Sequence, residues 1–191
     1  MRRAIVAAGA CPVRSTSETP PQPARAEPPG GIPAADTAIE LSALMQPADA
    51  NFLGVIHGGV ILKQIDEAAG TCAYHFARRR VVTAAIDRMS FHYPVQIGNL
   101  VVCRATVNWA GHSSMEIGVR VEAEDLATGA WLHTNSAYLV FVALDDQRRP
   151  TAVPRLLLET DDERRRWAAA VERRRARLAE RVTDDPDGAS A

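Results

Sequence analysis

The residues that can do chemistry in this sequence lie close together: Asn51, the run His57-Gly58-Gly59, and Asp66. Gly58 and Gly59 have no Cβ, so a ligand can approach their backbone closely. At the start of a helix the first amide groups lack internal partners, and the macrodipole adds partial positive charge. Such a terminus suits an anion, or a carbonyl oxygen about to become one. Asp66 falls further along the same segment among small and apolar residues, where a carboxylate needs either a partner or a task. A partner would be an arginine such as Arg88; a task would be activating water or attacking directly. From Gly59 to Asp66 is two turns, roughly 10 Å at 1.5 Å per residue. If both serve one reaction, the acid comes from a second copy of the chain, which predicts a dimer with composite sites.

The element that must carry these groups is a helix. Ile61, Ile65, Ala68, Cys72 and Phe76 recur at three- and four-residue steps, and Ala69, Gly70 and Ala73 fill much of the remaining surface. A helix apolar on most sides is buried. Arg78-Arg79-Arg80 closes it, with cations at its negative end. Before it, Thr37–Met45 reads as a strand ended by Pro47, and Ala48–Val55 as a loop. After it, Val81–Tyr93 reads as a strand that continues past a kink near Asp87. Val101, Cys103, Ala105, Val107 and Trp109 share one face of the next strand; Ile117, Val119, Val121 and Ala123 share one face of another. Thr128-Gly129 supplies a hairpin turn into a last strand, Trp131–Leu144. One buried helix with a run of antiparallel strands is an α+β layout in which the sheet wraps the helix.

A second helix is expected after Pro154, with Asp161-Asp162-Glu163 at its start and Arg173–Arg181 towards its end. Trp167, Val171, Leu178 and Val182 give it a thin apolar stripe for docking on its own subunit or a neighbour. Its arginines are expected to form a solvated face. The proline-rich residues 1–37 lack either period and read as a disordered extension. The expected division is that extension, one domain over 38–155, a helical extension over 156–183 and a disordered tail over 184–191.

Composition narrows the partners. At 191 residues, 47% hydrophobic and 24% charged, the chain reads as one soluble domain with appendages. A formal charge of -1 argues against nucleic acid or an anionic membrane as partner. No apolar run approaches the about eighteen residues of a membrane span. Three cysteines fit a reduced compartment better than a disulfide framework, and Cys72 and Cys103 read as small core residues rather than nucleophiles. The arginines and apolar run of Met1–Ala10 faintly suggest an export signal; the expectation is an N-terminal extension of a cytoplasmic protein. The five histidines show no metal-ligand spacing, and no nucleotide-binding glycine fingerprint is present, so neither metal nor organic cofactor is expected.

The run PADANFLGVIHGGVILKQIDEAAG resembles the signature of hotdog-fold acyl-CoA thioesterases, through Asn51, Gly54, His57-Gly58-Gly59, Ile65-Asp66-Glu67 and Gly70. Two further stretches match in order and spacing: Thr83-Ala84-Ala85-Ile86-Asp87 through Tyr93-Pro94-Val95, and Gly111-His112-Ser113-Ser114-Met115-Glu116. The similarity runs from about Glu40 to Pro154. It implies the hotdog fold, an antiparallel sheet wrapped around one long central helix, here with an extra C-terminal helix. The activity it implies is hydrolysis of fatty acyl-CoA to free fatty acid and CoA, with coenzyme A entering only as part of the substrate. Under the resemblance Gly59 polarises the thioester carbonyl, and Asp66 of the partner subunit acts as general base or as nucleophile. Asn51 helps hold the reacting carbonyl or water, and His57 and Gly58 contact the thioester. Gly111, His112 and Ser113 run beside the pantetheine arm, and Thr83 and Ser90 line the same tunnel. Hexamers built as trimers of dimers are common in the resembled group, while the sequence itself supports a homodimer at minimum. The C-terminal arginines have a second reading here, as contacts to a CoA phosphate.

Without the resemblance, an Asn in a loop is a turn residue, and Gly-His-Ser-Ser is an ordinary turn. Two rival functions keep the fold. A dehydratase or hydratase would pair a His with an acid on or beside the central helix, whereas here the acid lies seven residues past the second glycine. A non-catalytic acyl-CoA sensor controlling transcription would need a DNA-binding module, and the first 37 residues cannot build a helix-turn-helix.

Overall fold

The structure is a computed structural model and describes residues 30–87, 89 and 91–184, with side chains through Glu180. Expectations for residues 1–29 and 185–191, and for Arg88 and Ser90, lie outside the described residues. In chain order the elements are β1 (Ile32–Pro33), a 3-10 turn at Ala34–Thr37, β2 (Ile39–Leu44), a 3-10 turn at Pro47–Asp49, and α1 (Gly58–Ala77). Then come β3 (Arg80–Ile86), β4 (Asn99–Ala110), β5 (Ser114–Asp125), β6 (Ala130–Leu144), β7 (Leu156–Leu157) and α2 (Asp161–Asp184). Five strands form an antiparallel sheet in the order β2-β4-β5-β6-β3, while β1 and β7 pair in parallel.

Strand alternation sends every second residue to the face that meets α1. Val101, Cys103, Ala105 and Val107 of β4 and Met115, Ile117, Val119 and Val121 of β5 lie in one core with Ala137, Leu139, Phe141 and Ala143 of β6. From α1 come Ile61, Ile65, Ala68, Ala69, Cys72, Ala73 and Phe76, all buried. Each fully buried Ile, Leu or Phe here contributes about 2 kcal/mol relative to exposure. The alanines let sheet and helix backbones approach. Gly129, at φ +72, makes the turn into β6, which begins one residue earlier than expected. Arg78 ends α1 by entering the left-handed region at φ 52, its amide still bonded to Tyr74 O, and Arg80 already belongs to β3.

Three boundaries differ from expectation. Thr37 is not the first residue of a strand. It is buried, donates to Ala34 O (2.7 Å) and accepts from Val107 N (3.0 Å), so its hydroxyl ties the 3-10 turn to β4. With β1 paired to β7, ordered structure starts before the boundary expected at residue 37. The strand expected to run to Tyr93 stops at Ile86. β3 lies at the sheet edge, and its register with β6 slips between Thr83 and Ala85. The following segment still tracks β6 through Asp87 N–Tyr138 O (2.9 Å) and His92 N–Thr134 O (3.0 Å).

A further correction concerns α2, which docks on this protein's own sheet. Ala170 is buried, and Arg173 and Arg177 turn inwards instead of joining a solvated face. Arg164, Arg165 and Arg166 do stay at the surface, paired with Asp161 and Asp162. No helix among the described residues is long and apolar enough to cross a membrane.

The start of α2 is a capping box. Thr160 Oγ1 accepts from Glu163 N (3.2 Å), and Glu163 Oε2 accepts from Thr160 N (2.9 Å) and Glu159 N (2.7 Å). These amide bonds, that of Thr160 foremost, hold the Glu163 carboxyl below the ordinary range. Its contribution is therefore present above the unfolded carboxyl value of about 4.3 and is lost as pH falls through the lower folded value. Glu163→Ala is expected to lower stability by about 1 kcal/mol at neutral pH. In thermal melts the gap to wild type should narrow as pH drops into the acid range.

Candidate active site

The loop ahead of α1 is shaped by its own backbone. Asn51 N donates to Val55 O (2.8 Å), and Gly54 N, at φ +77, donates to Asn51 O (3.0 Å). Asn51 Oδ1 accepts from Leu53 N (2.8 Å), an Asx turn. That oxygen is committed to the loop, whereas Nδ2 meets no acceptor among the described residues. The turn leaves Phe52 and Leu53 at its tip, 96% and 71% exposed.

His57 caps α1 in an unexpected way. Its Nδ1 accepts from Gly59 N at 2.9 Å, a ring nitrogen filling the role usually taken by a Ser or Asp oxygen. With Nδ1 accepting, a neutral His57 carries its proton on Nε2, where it can be donated. The Gly59 amide, expected to face a carbonyl oxygen, is thus held by His57. A Cβ at Gly59 would sit 3.1 Å from His57 Nδ1, so the glycine makes room for the cap. Gly58 lies under the Phe91 ring, whose nearest atom would be 3.5 Å from a Cβ placed there. The Gly58 amide finds no acceptor among the described residues.

Two turns along the helix, Asp66 is half-buried, and its Oδ1 accepts from Thr83 Oγ1 at 3.0 Å. Both line an open groove of about 600 Å³ with Gly70, Tyr74, Arg78 and Phe141. Glu67, which also lines the groove, pairs with Lys63 (2.6 Å). The motif Gly111–Ser113 forms a turn held by Gly111 N–Ser114 O (2.8 Å), Ala143 N–Ser113 O (2.9 Å) and Val153 N–His112 O (2.9 Å). Gly111 and His112 border a different cleft, of about 720 Å³, with Trp167 and the chain from Ala152 to Leu158. One protomer therefore brings Asp66 to Thr83 and gathers Asn51, His57, Gly58 and Gly59 around the helix start. It does not bring the two groups, or the Gly111 turn, into one cavity.

A buried ionic group went unforeseen. Glu116, fully buried on the outer face of β5, accepts from Arg173 Nη2 (2.6 Å) and Nε (3.2 Å). The same guanidinium lies 3.6 Å over the Tyr138 ring. Arg177 Nη1 reaches Asp87 Oδ2 (2.6 Å) and Glu116 Oε2 (3.4 Å). Burial pushes the Asp87 carboxyl above the ordinary range, with a push from Glu116, against the pull of Arg177. Glu116 lies on the face of β5 opposite the core residues Met115 and Ile117, where alternation alone gives no sign of burial. The available signal was the four-residue step from Arg173 to Arg177, which puts two cations on one helix face. Among the described residues, no three His, Cys, Asp or Glu side chains gather to hold a metal ion.

A sheet curled round a single buried helix is the hotdog architecture. The thioesterase superfamily matches residues 53–130, and this chain belongs to that family. Protein VdlD of Helicobacter pylori is 37% identical over 141 residues, covering 74% of this chain and 80% of that protein. The uncharacterized acyl-CoA thioester hydrolase YkhA of Bacillus subtilis is 37% identical over 127 residues, 66% of this chain and 74% of its own. The acyl-CoA hydrolase of Staphylococcus aureus, solved with butyryl coenzyme A and coenzyme A, superposes with a TM-score of 0.75 at 31% identity. That match covers 81% of this chain and 94% of that one. The same enzyme has been solved with alanine in place of an Asn, an Asp and a Thr.

Burial pushes the thiols of Cys72 and Cys103 up to about 12 and about 11, which leaves neither as a nucleophile near neutral pH. Alkylation of the native protein at pH 8, followed by peptide mapping, should find both unmodified and thioesterase activity untouched. Both should react once the chain is denatured.

Proposed function

We propose that this protein hydrolyses fatty acyl-CoA to free fatty acid and CoA, with the start of α1 polarising the thioester carbonyl and Asp66 activating the attack. One observation carries the residue assignment: a half-exposed carboxylate on a buried helix, tethered by Thr83 and facing an open groove. A second line of support comes from the Staphylococcus aureus enzyme. Its substituted Asn, Asp and Thr follow one another at intervals of 15 and 17 residues, the same as those separating Asn51, Asp66 and Thr83.

In the ground state the thioester oxygen approaches the Gly58 amide, the Nε2–H of His57 and the Asn51 amide. As the carbonyl becomes tetrahedral, these fixed donors and the helix dipole stabilise its charge without having to reorganise. Gly59 joins them if the His57 ring gives up its amide to the oxyanion. The Asp66 carboxylate removes a proton from water, or itself attacks to form a mixed anhydride that water then opens. Thr83 donates to one oxygen and orients the other. Gly111, His112 and Ser113 guide the pantetheine arm, and Ser90 belongs with them by motif.

The two halves of this apparatus stand two helical turns apart, so the acid acts on a thioester held by a second copy. β3 is an edge strand with Val82 and Ile86 about half exposed. Phe52, Leu53, Phe91, Tyr93 and Ile97 are exposed around the helix start. Open edges and apolar patches of this kind call for a cover. A homodimer is the minimum assembly that provides one, and several similar thioesterases are described as hexameric. The dehydratase reading is disfavoured because the His57 ring is engaged with Gly59, two turns from Asp66. An acyl-CoA sensor would bind the same substrate without turnover.

Thiol release from acyl-CoA of graded chain length tests the activity; binding without CoA release would favour the sensor. Asp66→Ala should lower kcat about 10²- to 10⁴-fold. Thr83→Ala should cost about tenfold, the worth of one hydrogen bond to a carboxylate. Single turnover in ¹⁸O-water, with hydroxylamine trapping beside it, separates the two roles of Asp66. Label in the Asp66 carboxyl, or a hydroxamate formed on Asp66, marks a nucleophile whose anhydride is opened at the aspartyl carbonyl. Label only in the product acid, with no trapped Asp66, marks a general base. Full turnover by Asp66→Ala would overturn the assignment.

A further inference from the structure

The thioesterase core accounts for the sheet and α1, but gives α2 no part in the reaction. Its inward-facing residues do two distinct things. Arg173 forks onto Glu116, over the Tyr138 ring, and so fastens the helix to the middle of the sheet. Arg177, one turn further on, extends past Glu116 to Asp87. Asp87 is the first residue after β3, the edge strand, whose only strand neighbour among the described residues is β6. Its register is already broken between Thr83 and Ala85. The segment beginning at Asp87 is held to β6 by backbone bonds at Asp87 and His92, and between them it carries Phe91, whose ring lies over Gly58.

We infer that Arg177 is a positioning residue for thioester hydrolysis: by holding Asp87, it fixes both the edge strand that presents Thr83 to Asp66 and the segment that seats Phe91 over Gly58. The assignment rests on the thioesterase reading above. Both ends of the apparatus depend on the same stretch of chain. Thr83 lies four residues before Asp87, on the carboxylate side, and Phe91 four residues after it, on the amide side. On the outer face the start of that stretch is gripped by Arg177, which is mostly buried with its partner, the two side chains being 18% and 15% exposed. In such a setting the pair defines one geometry. Removing the guanidinium leaves a buried carboxylate that moves to find water. Small displacements of groups around a reacting carbonyl lower the rate of the chemical step more than they weaken binding.

The test compares Arg177→Met, Arg177→Lys, Asp87→Asn and the Arg177→Met/Asp87→Asn double variant with wild type, using thiol release from one good acyl-CoA. Arg175→Met is the control, since Arg175 pairs with Glu172 at the surface. The inference expects Arg177→Met and Asp87→Asn each to lose about tenfold or more in kcat, with KM within about threefold. It expects the double variant to be no worse than the weaker single, because the two losses share one cause. Arg177→Lys should recover most of the rate, and Arg175→Met should match wild type. Assays run well below each variant's melting temperature separate this from loss of fold. If Arg177→Met does not fold, Arg177→Lys and Asp87→Asn carry the comparison. A kcat within twofold of wild type for Arg177→Met or Asp87→Asn, or losses that multiply in the double variant, overturns the inference. If wild type itself releases no CoA, the thioesterase reading has failed and the positioning role goes with it.

Discussion

The structure turns on a mismatch between two distances along one helix. α1 must be hidden, because its sides are alanine, isoleucine and phenylalanine, so the sheet curls round it and leaves only a strip uncovered. On that strip the start of the helix and the Asp66 carboxylate are separated by two turns, roughly 10 Å. A carboxylate acts on a proton within hydrogen-bond reach. A protein that spaces its tools this way either uses them in separate reactions or borrows one of them from a neighbour. The exposed edge of β3 and the apolar loop tip at Phe52 and Leu53 favour borrowing, since they make a second copy the cheapest way to bury what one copy leaves in water.

Much of this was legible in the residues. The three- and four-residue steps of Ile61, Ile65, Ala68, Cys72 and Phe76 located the helix, and the alternation through β4, β5 and β6 located the sheet and the face that packs on it. These signals are strong because burial imposes them at every second or fourth position. Boundaries were harder. Thr37 reads as a β-former but spends its hydroxyl on a 3-10 turn and on Val107, a tertiary contact that no local pattern announces. The strand after α1 looked continuous to Tyr93 because its residues keep β-forming character. Their regular pairing ends at Ile86, and among the described residues isolated backbone bonds to β6 persist at Asp87 and His92.

The site was half legible. Asp66 stood out as an acid on an apolar helix, and Thr83 entered through resemblance and proved to be its hydrogen-bond partner. The state of the Gly59 amide could not be read from spacing. A histidine before two glycines is as compatible with an open anion site as with a ring folded back onto the helix, and the difference is one side-chain rotation. The ionic group on the outer face was hidden for another reason. A glutamate alternating with core residues is what a solvated strand face looks like, and arginines on a charged helix are what a solvated helix looks like. Only their docking turns both into buried partners, with Arg177 left over to reach the edge strand.

The most direct measurement of the central claim is subunit mixing. Asp66→Ala lacks the acid and Asn51→Ala lacks a donor at the helix start, so each homodimer should be nearly inactive alone. If each site takes its acid from one protomer and its donors from the other, a mixed dimer has one site with both losses and one intact. Equal mixing with exchange of subunits should then restore about one quarter of the wild-type rate. A mixture no more active than its parents, despite demonstrated exchange, would place Asp66 and the helix start of the same chain in a single site and contradict the account.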